Sequence, residues 1–119
     1  MVDGIAFSWE LRPRTAVVAL SGELDVMTAP ELPSGLQPLL QDPPPVQLVV
    51  LDLSRLAFLG WAGVRALAAV VRDLRDRDVT ACFVSPRGTA VSRTLDLAGT
   101  AEFIDVFRSR QDALVHHVA

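Results

Sequence analysis

Apolar and polar residues alternate through the first dozen positions of the chain. Ile5, Phe7, Trp9 and Leu11 take one phase, and Ala6, Ser8, Glu10 and Arg12 the other. A period of two is that of a strand with one buried face. Arg12-Pro13-Arg14 interrupts it and Thr15 to Leu20 resumes it, which predicts an antiparallel hairpin at a sheet edge. A polar segment follows, Ser21-Gly22-Glu23-Leu24-Asp25-Val26-Met27-Thr28-Ala29-Pro30-Glu31. Thr28 and Glu31 have capping-box spacing and Pro30 suits a first helical turn, so a helix is expected from about Ala29. Leu32, Leu36, Leu39 and Leu40 give it an apolar face, and Pro33 and Pro38 predict that it is short and irregular. Asp42-Pro43-Pro44-Pro45 reads as a stiff connector.

The pattern then changes to an unbroken apolar run, Leu48 to Leu51, as in a central parallel strand buried on both faces. Asp52 and Ser54 are expected where this strand leaves the core, with Leu56 and Phe58 returning the chain to apolar surface. Gly60 and Gly63 bracket a bend. Val64, Leu67, Ala68, Val71 and Leu74 then recur at helical steps, and Arg72–Asp76 and Asp73–Arg77 are pairs four apart on the polar face. Val79 to Val84 reads as a strand and Ser85-Pro86-Arg87-Gly88 as a turn. Ala90 to Ala98 reads as a helix ended by Gly99 in the left-handed conformation. Phe103 to Phe107 reads as a short strand. Ser109 with Asp112 starts a last helix through Leu114, Val115 and Val118. The order β-β-α-β-α-β-α-β-α predicts an α/β fold: a mixed, mostly parallel sheet of about five strands with about four helices.

Bulk properties narrow the function classes. The 119 residues suit one domain, 1–119, and half of them are apolar, enough for a core. A net charge of -3 and a pI near 5.2 argue against a nucleic-acid partner, which selects clustered positive charge. No apolar run reaches the length of a membrane span, so no membrane insertion is expected. The opening MVDGIAFSWE carries no basic segment before an apolar one, so no export signal is expected. The single Cys82 excludes an intrachain disulfide and fits a reducing, cytoplasmic setting. Nothing separates a monomer from a weak dimer.

Catalytic chemistry is thin. There is no Gly-rich phosphate loop and no metal-spaced Cys/His set, so no cofactor and no metal are expected. His116 and His117 are the only histidines, and as neighbours on a helix they point about 100° apart. A serine nucleophile would have no other histidine as its base. Asp25 and Asp52 are more readily turn or cap residues than a catalytic pair. Cys82, within an apolar strand, reads as buried and inert. The chain is therefore expected not to be an enzyme. Two segments stand out instead. The loop from Ser21 to Glu31 and the helix start Gly60-Trp61-Ala62-Gly63 should share the C-terminal edge of neighbouring strands. Trp61 lies outside the apolar rhythm of its flanks. It is either folded onto the core or an exposed anchor for a protein partner, and the sequence weighs the two evenly.

Three segments carry a resemblance. They are Leu20-Ser21-Gly22-Glu23-Leu24-Asp25 with Thr28-Ala29; Val49-Val50-Leu51-Asp52-Leu53-Ser54 with Leu56-Ala57-Phe58; and Phe83-Val84-Ser85-Pro86 with Leu95-Asp96-Leu97-Ala98-Gly99. Together they resemble STAS domains of the anti-sigma factor antagonist (anti-anti-sigma) class over nearly the whole chain. The resemblance implies a STAS fold. It also implies a protein partner: an anti-sigma factor that is a GHKL-type kinase, whose capture releases a sigma factor. In that family the helix start typically reads Asp-Ser-Ser-Gly or Asp-Ser-Thr-Gly, and the kinase phosphorylates the second hydroxyl residue. On this alignment the acceptor falls on Ala62, which has no oxygen to modify, while Gly60 and Trp61 replace the Asp and the first Ser. Only Gly63 is kept. The expected partner-binding residues are Glu23, Asp25, Thr28, Ser54, Gly60, Trp61, Ala62, Gly63 and Arg65. Ser54 and Ser21 are weak substitutes as phosphoacceptors. The alternative is a repurposed STAS interaction module: a signalling-complex subunit, a lipid-transport accessory subunit or a small-ligand sensor.

Overall fold

A computed structural model of the chain describes residues 4–117. Strands β1 (Ile5–Arg12) and β2 (Thr15–Leu24) form the expected antiparallel hairpin. Then follow α1 (Glu31–Gly35), a single tight turn at 37–39, β3 (Leu48–Leu59), α2 (Trp61–Asp76), β4 (Thr80–Val84), α3 (Ala90–Leu97), β5 (Val106–Phe107) and α4 (Arg110–His116). The sheet order is β1-β2-β3-β4-β5, with β2 to β5 parallel. This is the predicted α/β order. Val118, expected to extend the last helix, lies outside the described residues.

Alternation along the strands sorts side chains between two unequal cores. Val18 and Leu20 of β2, Val49 and Leu51 of β3 and Phe83 of β4 face α1, α2 and α3, which contribute Leu32, Leu67, Val71, Leu74, Val91 and Leu95, with Leu36 from just after α1. Val17, Leu48, Val50, Cys82 and Val84 face the other way, where α4 covers them with Ala113 and Leu114. Two-sided cover explains the unbroken apolar run of β3. Helix α4 is further fixed by Arg110, whose Nε donates to Asp52 Oδ2 at 2.6 Å and whose Nη1 lies 3.2 Å from Glu10 Oε1. Ser109 caps α4 by accepting from the amide of Asp112. Gly99 has φ 69°, the left-handed stop expected after α3.

Five local expectations need correction. First, β3 does not leave the core at Asp52. It runs on beside β2 to Leu59, 12 residues in all, after β4 has ended opposite Asp52. Between Ala19 and Ser21 two steps on β2 match three on β3, and between Gly22 and Glu23 one step matches two. These bulges turn the inward period from two to three, so Leu53, Leu56 and Leu59 are buried while Ser54 and Arg55 face outward. Second, Phe58 does not rejoin the core; it is 48% exposed. Third, Trp9 and Leu11 are exposed although Ile5 and Phe7 pack inward, because the helical cover ends before the tip of this edge strand. Fourth, β5 is only Val106–Phe107, since residues 100–102 make another tight turn and Phe103 is partly exposed. Fifth, no capping box forms. Pro30 precedes α1 without a side-chain cap, and Glu31 instead accepts from the amide of Ile5. Helix α1 is short and irregular, as its prolines predict. Of the two ion pairs expected on α2, Asp73–Arg77 is made at 3.0 Å; Arg72–Asp76 is not among the described pairs.

Candidate functional site

The C-terminal ends of β2 and β3 lie side by side, and the chain leaves each in a different way. After Leu24, Asp25 begins a closed turn. Its carboxylate accepts from the amides of Met27 at 2.9 Å and Thr28 at 3.1 Å, and its carbonyl accepts from Ala29 at 2.8 Å. Thr28 Oγ1 donates to the carbonyl of Glu23 at 2.7 Å and accepts from the amide of Asp25 at 3.0 Å. Its hydroxyl thus ties the two ends of the turn together, and Thr28 is 3% exposed. Thr28 shapes the loop and is not placed to touch a partner, which corrects its expected role. With the polar groups turned inward, Val26 and Met27 are pushed out, Met27 to 80% exposure.

After Leu59 the chain turns into α2 through Gly60, whose amide donates to the carbonyl of Leu24 at 3.0 Å. Gly63 seats the first turn of α2 against that carbonyl. A β-carbon at Gly63 would lie 2.6 Å from Leu24 O and 2.8 Å from a methyl of Leu59. So Gly63 is buried, and it sets the distance between α2 and the strands; it is not a contact residue. Trp61 is 56% exposed, so it is not folded onto the core. The ring of Phe58 rests over Gly60, where a β-carbon would meet it at 3.1 Å and the Cα of Asp25 at 4.0 Å. Phe58 and Trp61 therefore flank Gly60 beside the Asp25 turn. Glu23 is paired with Phe58 in the sheet, and Glu23 and Arg65 are both exposed. The site is an apolar surface of Val26, Met27, Phe58 and Trp61 with charged residues around it.

The backbone adds a local field. Gly60 precedes α2 in an extended conformation, φ -97° and ψ 176°, and supplies no side-chain cap; the first turn carries no acidic residue. The helix start is thus electropositive and bears free amides. Ala62, the second residue of α2, is half-buried and ends in a methyl group.

The two substitute serines are displaced from this edge. Ser54 and Ser21 both lie inside strands, Ser21 paired with Ala6 and Arg55, and Ser54 in the outward bulge of β3. Ser54 does not mark the end of the strand, because β3 continues through it to Leu59. Asp25 and Asp52 serve separate local structures, the turn and the α4 face. Burial by itself raises the Asp52 carboxyl, but hydrogen bonds from Arg110 and Ser54 and the Arg110 charge outweigh it and hold the group below its ordinary value. Burial, with a smaller push from the Asp105 charge, raises the Cys82 thiol to about 12, so it is inert at neutral pH. His116 and His117 pack around Phe107, with ring centroids 4.9 Å apart. Among the described residues no three His, Cys, Asp or Glu side chains are grouped to hold a metal ion, and no helix is long and apolar enough to cross a membrane.

Sequence reading missed Val26, Met27 and Phe58 as parts of this surface. Two adjacent apolar residues in a polar loop were the available signal for the first two; Phe58 carried none, because its exposure depends on the bulges.

The chain is similar to known proteins. The STAS domain family model matches residues 6–113. The anti-sigma-F factor antagonist RsfB of Mycobacterium tuberculosis is 31% identical over 99 residues, 83% of this chain and 78% of its own. The crystal structure of an anti-sigma factor antagonist from Mycobacterium paratuberculosis has a TM-score of 0.82 at 32% identity, covering 96% of this chain and 94% of that one. The anti-sigma factor antagonist SpoIIAA in its unphosphorylated form shares the fold, with a TM-score of 0.73 at 21% identity over 96% of this chain and 99% of its own. With the family model spanning nearly all of the described residues, the chain belongs to the STAS domain family of anti-sigma factor antagonists.

Proposed function

We propose that this chain is an anti-sigma factor antagonist that captures an anti-sigma factor of the GHKL kinase type and is not phosphorylated at position 62. It acts in the cytoplasm by binding, without catalysis. The observation that carries the proposal is the exposed Trp61 and Phe58 surface beside the Asp25 turn, next to an Ala62 that has no hydroxyl. A phosphate at this helix start would bring about -1.5 to -2 charges to a contact surface. A methyl group brings none, so binding here stays on. Of the expected contact residues, Glu23, Asp25, Gly60, Trp61, Ala62 and Arg65 remain at this edge; Thr28 and Gly63 support it from below, and Ser54 lies farther back on β3.

Co-purification with each GHKL-type anti-sigma kinase of the source genome tests the pairing. Binding of one of them that weakens with Trp61→Ala supports it. Failure with all of them moves the reading to a repurposed STAS module, for which the replacement of polar residues by Trp61 is the favouring observation. Intact mass after incubation with that kinase and ATP tests the second half, with no added phosphate expected. A phosphate on Ser54 or Ser21 would mean a relocated switch.

A further inference from the structure

A second site lies at the other end of the same sheet edge, where β4 and β5 finish. A cavity of about 420 Å³ opens there between α3 and the segments leaving the two strands. Its lining includes Ser85, Arg87, Ser92, Asp96, Phe107 and Arg108. That volume is within the range of small-molecule pockets. Ser85 is the first residue past β4, and its amide is held by the carbonyl of Phe107 at 2.8 Å. Its side chain is 3% exposed, and its hydroxyl has no hydrogen-bond partner among the described residues. A buried hydroxyl is nearly always paired, and leaving one unpaired is unfavourable. Ser85 lines this cavity, so an oxygen bound there is the candidate partner for its hydroxyl.

Charge tells which oxygen. Arg87 and Arg108 both line the cavity, and neither is in any of the described ion pairs or side-chain hydrogen bonds. They stand on the two segments that leave β4 and β5. Planar guanidinium forks match phosphate oxygens. Asp96 lines the same cavity one helical turn beyond Ser92. A carboxylate repels phosphate and accepts hydrogen bonds from alcohols, so it favours a ligand that carries both. The N-terminus of α3 is not required: Thr89 already caps it by accepting from the amide of Ser92 at 3.0 Å.

We propose that this cavity binds a small organic phosphate bearing free hydroxyls, with Arg87 and Arg108 on the phosphate, Ser85 hydrogen-bonded at the buried end and Asp96 on the hydroxyls. The site is separate from the Trp61 surface and does not depend on its function.

Amide chemical shifts of the full chain, titrated with glycerol 3-phosphate at constant ionic strength, test this. The expected result is saturable shifts at residues 85, 87, 88, 92, 96 and 106–108, and none with glycerol. The Arg87→Ala/Arg108→Ala variant should bind about tenfold or more weakly. Ser85→Ala should also bind more weakly while melting at the wild-type temperature or above, since it removes an unpaired buried hydroxyl. Shifts that fail to saturate, that spread equally over the other arginines, or that survive the double substitution would overturn the proposal. Inorganic phosphate binding as tightly as glycerol 3-phosphate would overturn the role of Asp96.

Discussion

Gly63→Ala tests the contact that seats α2 on the sheet. By helix propensity alone, Ala should stabilise this position, by up to about 1 kcal/mol. The structure predicts the opposite sign. The new β-carbon would stand 2.6 Å from the carbonyl oxygen of Leu24, where ordinary contact begins at 3.4 Å, a shortfall of 0.8 Å (3.4 less 2.6). That oxygen cannot easily retreat, because it accepts from the amide of Gly60 at 3.0 Å and ends a strand paired with Leu59. The first turn of α2 lifts, and the Gly60–Leu24 bond is lost with it. Overpacking typically costs about 1–3 kcal/mol and a lost backbone bond about 1 kcal/mol. Against the propensity gain, the net is a destabilisation of about 1–3 kcal/mol. Urea unfolding followed by circular dichroism measures it. With a slope near 2 kcal/mol per molar, the midpoint should fall by roughly 0.5–1.5 M at unchanged slope. Ala69→Gly, on the exposed face of the same helix, should lose about 1 kcal/mol and serves as the propensity control. A Gly63→Ala midpoint at or above the wild type would refute the argument that Gly63 is required by close approach.

Trp61→Ala should change stability by less than about 1 kcal/mol, because the ring is mostly in solvent, and weaken capture of the anti-sigma factor by about 2 kcal/mol in a calorimetric titration. Thr28→Val removes the hydroxyl that bridges Glu23 and Asp25 and should destabilise the fold by about 1–3 kcal/mol in chemical denaturation, with faster amide exchange confined to residues 24–29. Gly60→Asp supplies the missing cap of α2 at an extended position and should raise stability by roughly 0.5–1 kcal/mol, with Phe58 swinging aside; a lower melting temperature would contradict this. Arg110→Ala should cost roughly 1–2 kcal/mol at neutral pH by removing the cationic partner of Asp52 and leaving it only the Ser54 amide. Since Asp52 is held below its ordinary value, the stability it contributes is complete above about pH 4 and is lost as pH falls through its folded pKa. The gap between wild type and variant should therefore narrow in acid, and a gap that stays constant from pH 7 to pH 3 would exclude this linkage.

The sequence by itself determined the fold class, because the periods that specify it are local. Alternation in β1, the double-sided apolar run at Leu48–Leu51 and the helical spacing from Val64 to Leu74 each need only neighbouring residues to be recognised. The left-handed stop at Gly99 and the Ser109 cap were legible for the same reason: a short-range hydrogen bond or a single backbone conformation decides them. Capping-box spacing at Thr28 and Glu31 was equally legible and not realised. Thr28 was taken by Glu23 and Asp25, and Glu31 by β1, partners no local rule supplies. Tertiary structure alone decided the surface. Two bulges in β3, set by its pairing with β2, changed the inward period from two to three, buried Leu53, Leu56 and Leu59, and turned Ser54 outward. Whether Trp61 entered the core depended on what already filled it. Gly63 draws the start of α2 down onto the carbonyl of Leu24, and Phe58 lies over Gly60, so Trp61 stays in solvent beside the Asp25 turn. Side-chain identity was sufficient to place an aromatic at the end of the sheet; the packing around it fixed which way it faces.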